Sequence, residues 1–423
     1  MDACWCRQIF CWAVIATGAH PATAGDHIPQ LPRISIGRPP GGIERVFDGT
    51  LESLSGAIER IDDSPEVLVD AVEAGACLAD RTIRSWWRDL PGACCGEPYR
   101  ISSGALGFDI AGWTQFGYHS DRTGAPGTRL FNNNPGRINA HQMWIYADKP
   151  ACGDCGPDWG FHADLVFGTD GPDAQSFGND PGNYDFLSGW DRDSGYGWSM
   201  PQLYATWASG DLTLKAGHFF TLPRYEVVAA PANFFYSHAY TMFNSEPFTH
   251  TGLIGTYQVR DNTEAYFGWT YGWDTGFDRR HGGSSFLGGL NVELTRSVAF
   301  RWIATIGDFG NRGEGYAHSI ILDFAITRKL NYVFQTDLVD TNTVNDTQFG
   351  LNQYLIYTVH DCLGVGMRAE WWKNFDQSYG EVTLGANIRP HPNVIVRPEL
   401  RHDWSPQIGY HESGAAIDMI VLF

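Results

Sequence analysis

The chain is poor in positive charge: 29 Lys and Arg stand against 48 Asp and Glu, a formal net charge of −19. That balance argues against nucleic acid as a partner, because a phosphate backbone is held by the opposite sign. In a water-filled cavity it modestly favours cations over anions. No apolar run is long enough to make a transmembrane helix. Also missing are the nucleophile elbow, the phosphate loop and the HExxH pattern of familiar catalytic chemistries. Charged residues make up only 18% of the chain, low for a soluble enzyme, whereas aromatics reach 14% and glycines number 49. The expectation is a protein with no chemical step and no cofactor.

The first residues, "MDACWCRQIFCWAVIATGAHPATAGDH", have the parts of a secretory signal. Arg7 is the only basic residue of the leading region. An apolar stretch from Ile9 to Ala16 comes next, then small residues at Ala22–Ala24 for cleavage. Residues 1–24 are therefore read as a signal peptide, and the remainder as exported to a compartment where disulfides persist. Residues 25–104 differ in character from the rest of the chain. A Pro/Gly-rich stretch leads into a helix capped by Ser64 with Pro65 at its first position. Leu68, Val72, Ala76, Ala79, Ile83 and Trp87 share one face of it. This segment is expected to pack on, or plug, the domain formed by residues 105–423.

From residue 105 onward the pattern is strict alternation in about sixteen segments, each of the length a tilted membrane-spanning strand needs. Val298, Phe300, Trp302 and Ala304 oppose Ala299, Arg301, Ile303 and Thr305. Leu363, Val365, Met367, Ala369 and Trp371 oppose Gly364, Gly366, Arg368 and Glu370. The connections alternate between short ones, such as 260–262 and 295–297, and longer polar ones near 120–139, 168–197 and 219–247. That asymmetry, with charges on the face opposite the apolar one, predicts an all-β fold: a transmembrane antiparallel barrel with a wet lumen. Tyr118, Trp207, Trp269, Tyr271, Trp371 and Trp404 near segment ends predict aromatic girdles. The chain closes on "GAAIDMIVLF", apolar at every second place back from Phe423. In a closed barrel this last strand pairs with the first.

An ending of this kind is similar to the terminal insertion signal of bacterial outer-membrane barrels, which implies that Phe423 is read by the barrel-insertion machinery. The stretches "IAGWTQFGYH", "LKAGHFFTLPRYEVVAAPANFFYSHAYTM" and "EPFTHTGLIGTY" further resemble the OmpL-like β-barrel porin family. The likeness covers about residues 105–423. It implies an integral protein of the bacterial outer membrane, surrounded by lipid, that passes small hydrophilic solutes or ions, and it leaves room for a homo-oligomer such as a trimer. A closed structural or adhesive barrel, plugged by its third loop or its N-terminal segment, is the competing expectation.

Residues 219–247 form the third long connection and are unusually apolar for an exposed loop. Folded into the lumen, they would present Arg224 and Glu226 as a charge pair at a constriction. The candidate pore-lining residues are Arg301, Asp323, Asp337, Arg368, Glu370, Arg397, Glu399, Arg401 and Asp403, whose mixed signs could set a transverse field or simply brace the wall. Cys94, Cys95, Cys152 and Cys155 are disulfide candidates near the periplasmic rim, as Cys362 would be by position. Zinc at the "ACGDCG" turn and calcium in the acidic loop 168–197 are the weaker alternatives, so no metal is expected. His218, His238 and His250 flank the third loop without a fixed partner, and this is the only foothold for an enzyme reading.

Overall fold

The computed structural model describes residues 98–101, 107–128, 130–176, 184–185, 195–279, 281–342 and 347–423. The expected signal peptide, the helical segment, Cys94 and Cys95 lie outside these residues.

The alternating segments become strands: β1 (Asp109–His119), β2 (Asn139–Lys149), β3 (Asp158–Gly168), β4 (Gly197–Ser199), β5 (Leu203–Ser209) and β6 (Leu212–Phe220). They continue as β7 (Thr249–Arg260), β8 (Thr263–Thr270), β9 (Ser284–Thr295), β10 (Val298–Asp308), β11 (Glu314–Ala325) and β12 (Leu330–Thr341). The last are β13 (Gln348–His360), β14 (Leu363–Asn374), β15 (Gln377–His391), β16 (Val394–Ser405) and β17 (Tyr410–Leu422). β4 and β5 both pair with β3 and together make one strand of the wall, so the barrel has sixteen. Every pairing is antiparallel, and β17 returns to β1 with Trp113 opposite Leu422 and Tyr118 opposite Ile417. Phe423 finishes the seam: its N–H donates to Gly112 O at 2.9 Å and its carbonyl accepts from Gly112 N at 2.7 Å. Closure leaves no free edge, which a sheet in lipid requires.

Alternation fixes the two faces. Leu253, Tyr257, Phe267, Leu290, Ile306, Leu400, Ile417 and Met419 are exposed on the outside. Tyr118, Trp207, Trp269 and Trp371 are exposed there as well, near strand ends. Inside lie Arg301, Asp337, Arg368, Glu370, Arg397, Glu399, Arg401, Asp403 and Asp418, one position out of phase with that apolar set. The connections at 210–211, 261–262, 296–297 and 392–393 are tight turns on one rim. On the other rim, the connections at 120–138, 169–196 and 221–248 are long.

A candidate gate in the barrel lumen

The segment 221–248 leaves β6 and crosses the lumen to the far wall. It could not stand in water: Val228, Ala230, Phe234, Phe235, Tyr236, Ala239, Tyr240 and Met242 are all buried. Four apolar clusters receive it, one of them through Tyr240, which packs with Ala125, Leu130, Trp372 and Tyr379. On one side Val228, Ala230 and Met242 join Trp113, Trp144, Ile395 and Ile420. Near its start Leu222 packs with Phe219, Ile254, Tyr266, Leu287 and Ile303. Opposite, Phe234 and Phe235 pack with Ile321, Val333, Tyr354 and Ile356, with Tyr225 beside them.

Wall glycines make the seats. A Cβ on Gly117 would lie 2.4 Å from the Tyr236 hydroxyl, and one on Gly350 would lie 2.4 Å from the Thr241 hydroxyl. Gly366 faces the Phe234 ring at 2.7 Å and Gly385 the Phe235 ring at 3.0 Å. Real Cβ atoms essentially never come as close as at Gly117, Gly350 and Gly366, and at Gly385 the fit would be tight, so a side chain at these positions on β1, β13, β14 and β15 would push aside the loop side chain seated there.

Charged wall residues then fasten the loop backbone. Arg368, fully buried, uses all five of its N–H groups. Nε donates to Glu381 at 2.5 Å, Nη1 to Glu226 at 2.7 Å and Ser237 O at 2.8 Å, and Nη2 to the hydroxyls of Ser237 and Thr383. Arg397 is clasped by Asp418 and donates to Ala230 O at 2.8 Å and Asn233 O at 2.9 Å. Arg401 holds Asp403 through two bonds of 2.8 Å and donates to His238 O at 2.6 Å. Glu399 accepts from the N–H groups of Tyr236 (3.0 Å) and Ser237 (3.1 Å). Glu370 accepts from those of Tyr240 (2.5 Å) and Thr241 (2.7 Å). These carboxylates satisfy successive backbone donors that would otherwise be orphaned on burial.

Arg224 and Glu226 have separate partners rather than each other. Glu226 is the Arg368 partner, while Arg224 meets Asp337 at 3.1 Å, Glu246 at 3.5 Å and the Ser319 hydroxyl. Burial opposes the Glu226 charge most strongly, but Arg368, His238 and the Ala239 N–H together outweigh it and hold the carboxyl below its ordinary value. Burial pushes Glu246 up to about 8; Arg224 pulls against this and the neighbouring Asp337 adds to it. One guanidinium thus stands between two carboxyls.

Several anchors carried no signal beyond strand parity. Gln142 on β2 donates to Val228 O at 2.7 Å and to Asp170 at 2.9 Å, and accepts from Ala230 N at 3.0 Å. Tyr236 donates to His141 Nε2 at 2.6 Å, whose Nδ1 donates to Asp170 at 3.1 Å. Arg301 and Asp323 sit apart from these contacts, half-buried toward the rim of tight turns, with Asp323 accepting from Asn331 at 2.6 Å.

The three histidines are built into the fold. His218 bonds the Thr251 hydroxyl at 2.7 Å, His250 donates to Gly272 O at 3.0 Å, and His238 lies between Asn233 and Val227 O. In the acidic loop, Asp170 serves His141 and Gln142, and Asp173 accepts from Asn133. No group of three His, Cys, Asp or Glu able to hold a metal occurs among the described residues. Cys152 and Cys155 occupy the β2–β3 turn, where Cys152 N donates to Asp158 at 3.0 Å. Cys362, in the β13–β14 turn on the same rim, is disulfide-bonded.

Residues 107–420 match the family described as "Putative beta-barrel porin-2, OmpL-like". No curated protein matches the sequence. Among solved structures, a triple variant and a double variant of the porin of Rh. blastica each align with a TM-score of 0.51 at 11% identity. Each alignment covers 75% of this chain and 100% of that one. At that identity the likeness speaks for the fold alone. The family match spans most of the sequence, and the chain belongs to the OmpL-like β-barrel porins.

Proposed function

We propose that this porin sits in the bacterial outer membrane and lets small hydrophilic solutes or ions diffuse through its lumen, with segment 221–248 acting as the gate. The observation that carries this reading is the loop's position across the lumen, fastened at every step by wall residues rather than lying along one side. A gate needs a closed state held by many modest contacts, each reversible. The pore-lining candidates then divide by role. Arg368, Glu370, Arg397, Glu399, Arg401, Asp403 and Asp337 hold the closed state, while Arg301 and Asp323 face the path that solutes take.

The same docking supports a second reading, a permanently closed structural barrel. Single-channel current across a planar bilayer, under a salt gradient, separates the two when the wild type is compared with Gly366→Leu. The leucine would occupy the place of the Phe234 ring. Discrete wild-type openings, more frequent in the variant, support the gated porin. Current in neither protein, with both inserted and folded, would leave only the structural barrel.

A further inference from the structure

Below the gate the wall holds a cation that the gate does not use. Strand alternation places Arg389 on the inner face of β15: Leu384 is exposed outside, so Gly385, Asn387 and Arg389 line the lumen. The Arg389 backbone N–H donates to Cys362 O at 2.9 Å. Its guanidinium, by contrast, makes no hydrogen bond or ion pair among the described residues, and its Nε is buried without a partner. The charge that acts on it is that of Arg397, of the same sign. Arg397 in turn takes both oxygens of Asp418 at 3.0 and 2.5 Å, leaving that carboxylate committed.

Two residues away on the same face, Asn387 is 2% exposed. Its Nδ2 donates to Phe234 O at 3.2 Å, while its Oδ1 is buried with none of the described residues donating to it. An orphaned Nε donor on a half-buried guanidinium and an orphaned buried acceptor thus share one face, within the field of a second guanidinium. Groups left unsatisfied in this way cost free energy unless something fills them. Hydration alone would answer the polarity but not the uncompensated positive charge.

We propose that Arg389 and Asn387 form a binding site for a hydrogen phosphate group carried by a small solute in the lumen. Two phosphate oxygens take the guanidinium fork through Nε and one Nη, as planar bidentate recognition requires. The remaining P–OH donates to Asn387 Oδ1. A fully ionised oxyanion such as sulfate has no hydroxyl to offer that acceptor, so the site discriminates between two anions of nearly the same shape. The site gives a phosphate-bearing solute a foothold in a chain whose overall charge repels anions. Its role in transport rests on the porin reading, but the binding itself does not.

The test is thermal unfolding of detergent-purified full-length protein, titrated at neutral pH with inorganic phosphate, sulfate and chloride at matched ionic strength. Wild type should show a saturable rise of a few degrees with phosphate, larger than with sulfate, whose general salting effect serves as the control. Arg389→Gln should lose the saturable rise, and its ligand-free midpoint should be no lower than that of wild type, since it removes a half-buried charge that no described residue pairs. Asn387→Ala should bind phosphate and sulfate alike. Equal phosphate shifts in wild type and Arg389→Gln, or no saturable shift in wild type, would overturn the site. Because no current is read, failure here leaves the porin reading untouched, and a barrel that never conducts could still bind phosphate.

Discussion

Arg368 shows how much a single wall residue can hold. Its guanidinium bridges Glu381 on the wall to Glu226 on the loop, and it also ties down both the carbonyl and the hydroxyl of Ser237. Removing one partner of a buried charge set leaves the others uncompensated, which typically costs about 3–5 kcal/mol. Arg368→Met should therefore release the loop while the strands stay paired. The measurement is limited proteolysis of segment 221–248 alongside the detergent-resistant mobility of the barrel. Faster cleavage in the loop with unchanged barrel mobility is expected, whereas an equally protected loop would mean that the apolar seats hold it alone. The sequence marked Arg368 as inward by parity, but not as a loop anchor. Ser237 and Glu226 are more than a hundred positions away, and only the fold brings them together.

At the scale of the loop, two carboxyls respond to pH in opposite senses. Glu226 is held below its ordinary value by Arg368, His238 and the Ala239 N–H together. The docking free energy it supplies is complete above that ordinary value and is lost as pH falls through the lowered one. Glu246, pushed up to about 8 by burial, carries its proton at neutral pH. What it supplies is complete below its ordinary value and is gone once pH rises past about 8, when a second negative charge appears beside Arg224 and Asp337. Open probability should consequently be lowest in acid, near the ordinary carboxyl value, and climb on both sides, the alkaline climb running through neutral pH and levelling off past about 8. In bilayer recordings across pH, Glu226→Gln should remove the acid limb and Glu246→Gln the alkaline one. A flat profile in wild type would show that the loop is not held by these charges. The apolar character of residues 219–247 already indicated a buried segment, because an exposed loop of that composition would be left with bare phenylalanines. The partners of its backbone were not legible, since hydrogen bonds from loop N–H groups to wall carboxylates obey no sequence rule.

For the whole molecule, closure is the governing event, and it happens at the β1–β17 seam. Phe423 contributes two backbone hydrogen bonds to Gly112 there, and its ring lies 2.9 Å from where a Gly112 Cβ would stand. Truncation after Leu422 should lower the yield of inserted barrel in liposomes and reduce resistance to unfolding by heat in detergent. Phe423→Tyr should behave nearly as wild type, because it keeps both the backbone and the ring. If the truncated chain inserts and resists heat equally well, the terminal residue is dispensable to closure.

The sequence by itself determined the barrel, its strand parity and the inward set of charges. Alternation is local, and lipid on one side leaves a strand only one register that keeps its apolar face outside. It also marked segment 221–248 as buried, through hydrophobic residues that no exposed loop could keep in water. Only the tertiary structure decided what the inward charges do. Most of them meet the loop instead of water, and Arg224 and Glu226 turn to different walls. The Arg389 guanidinium is left without a partner among the described residues. Such assignments depend on which side chains meet across the lumen, and that is set by strand order, tilt and the glycine seats together rather than by any neighbour along the chain.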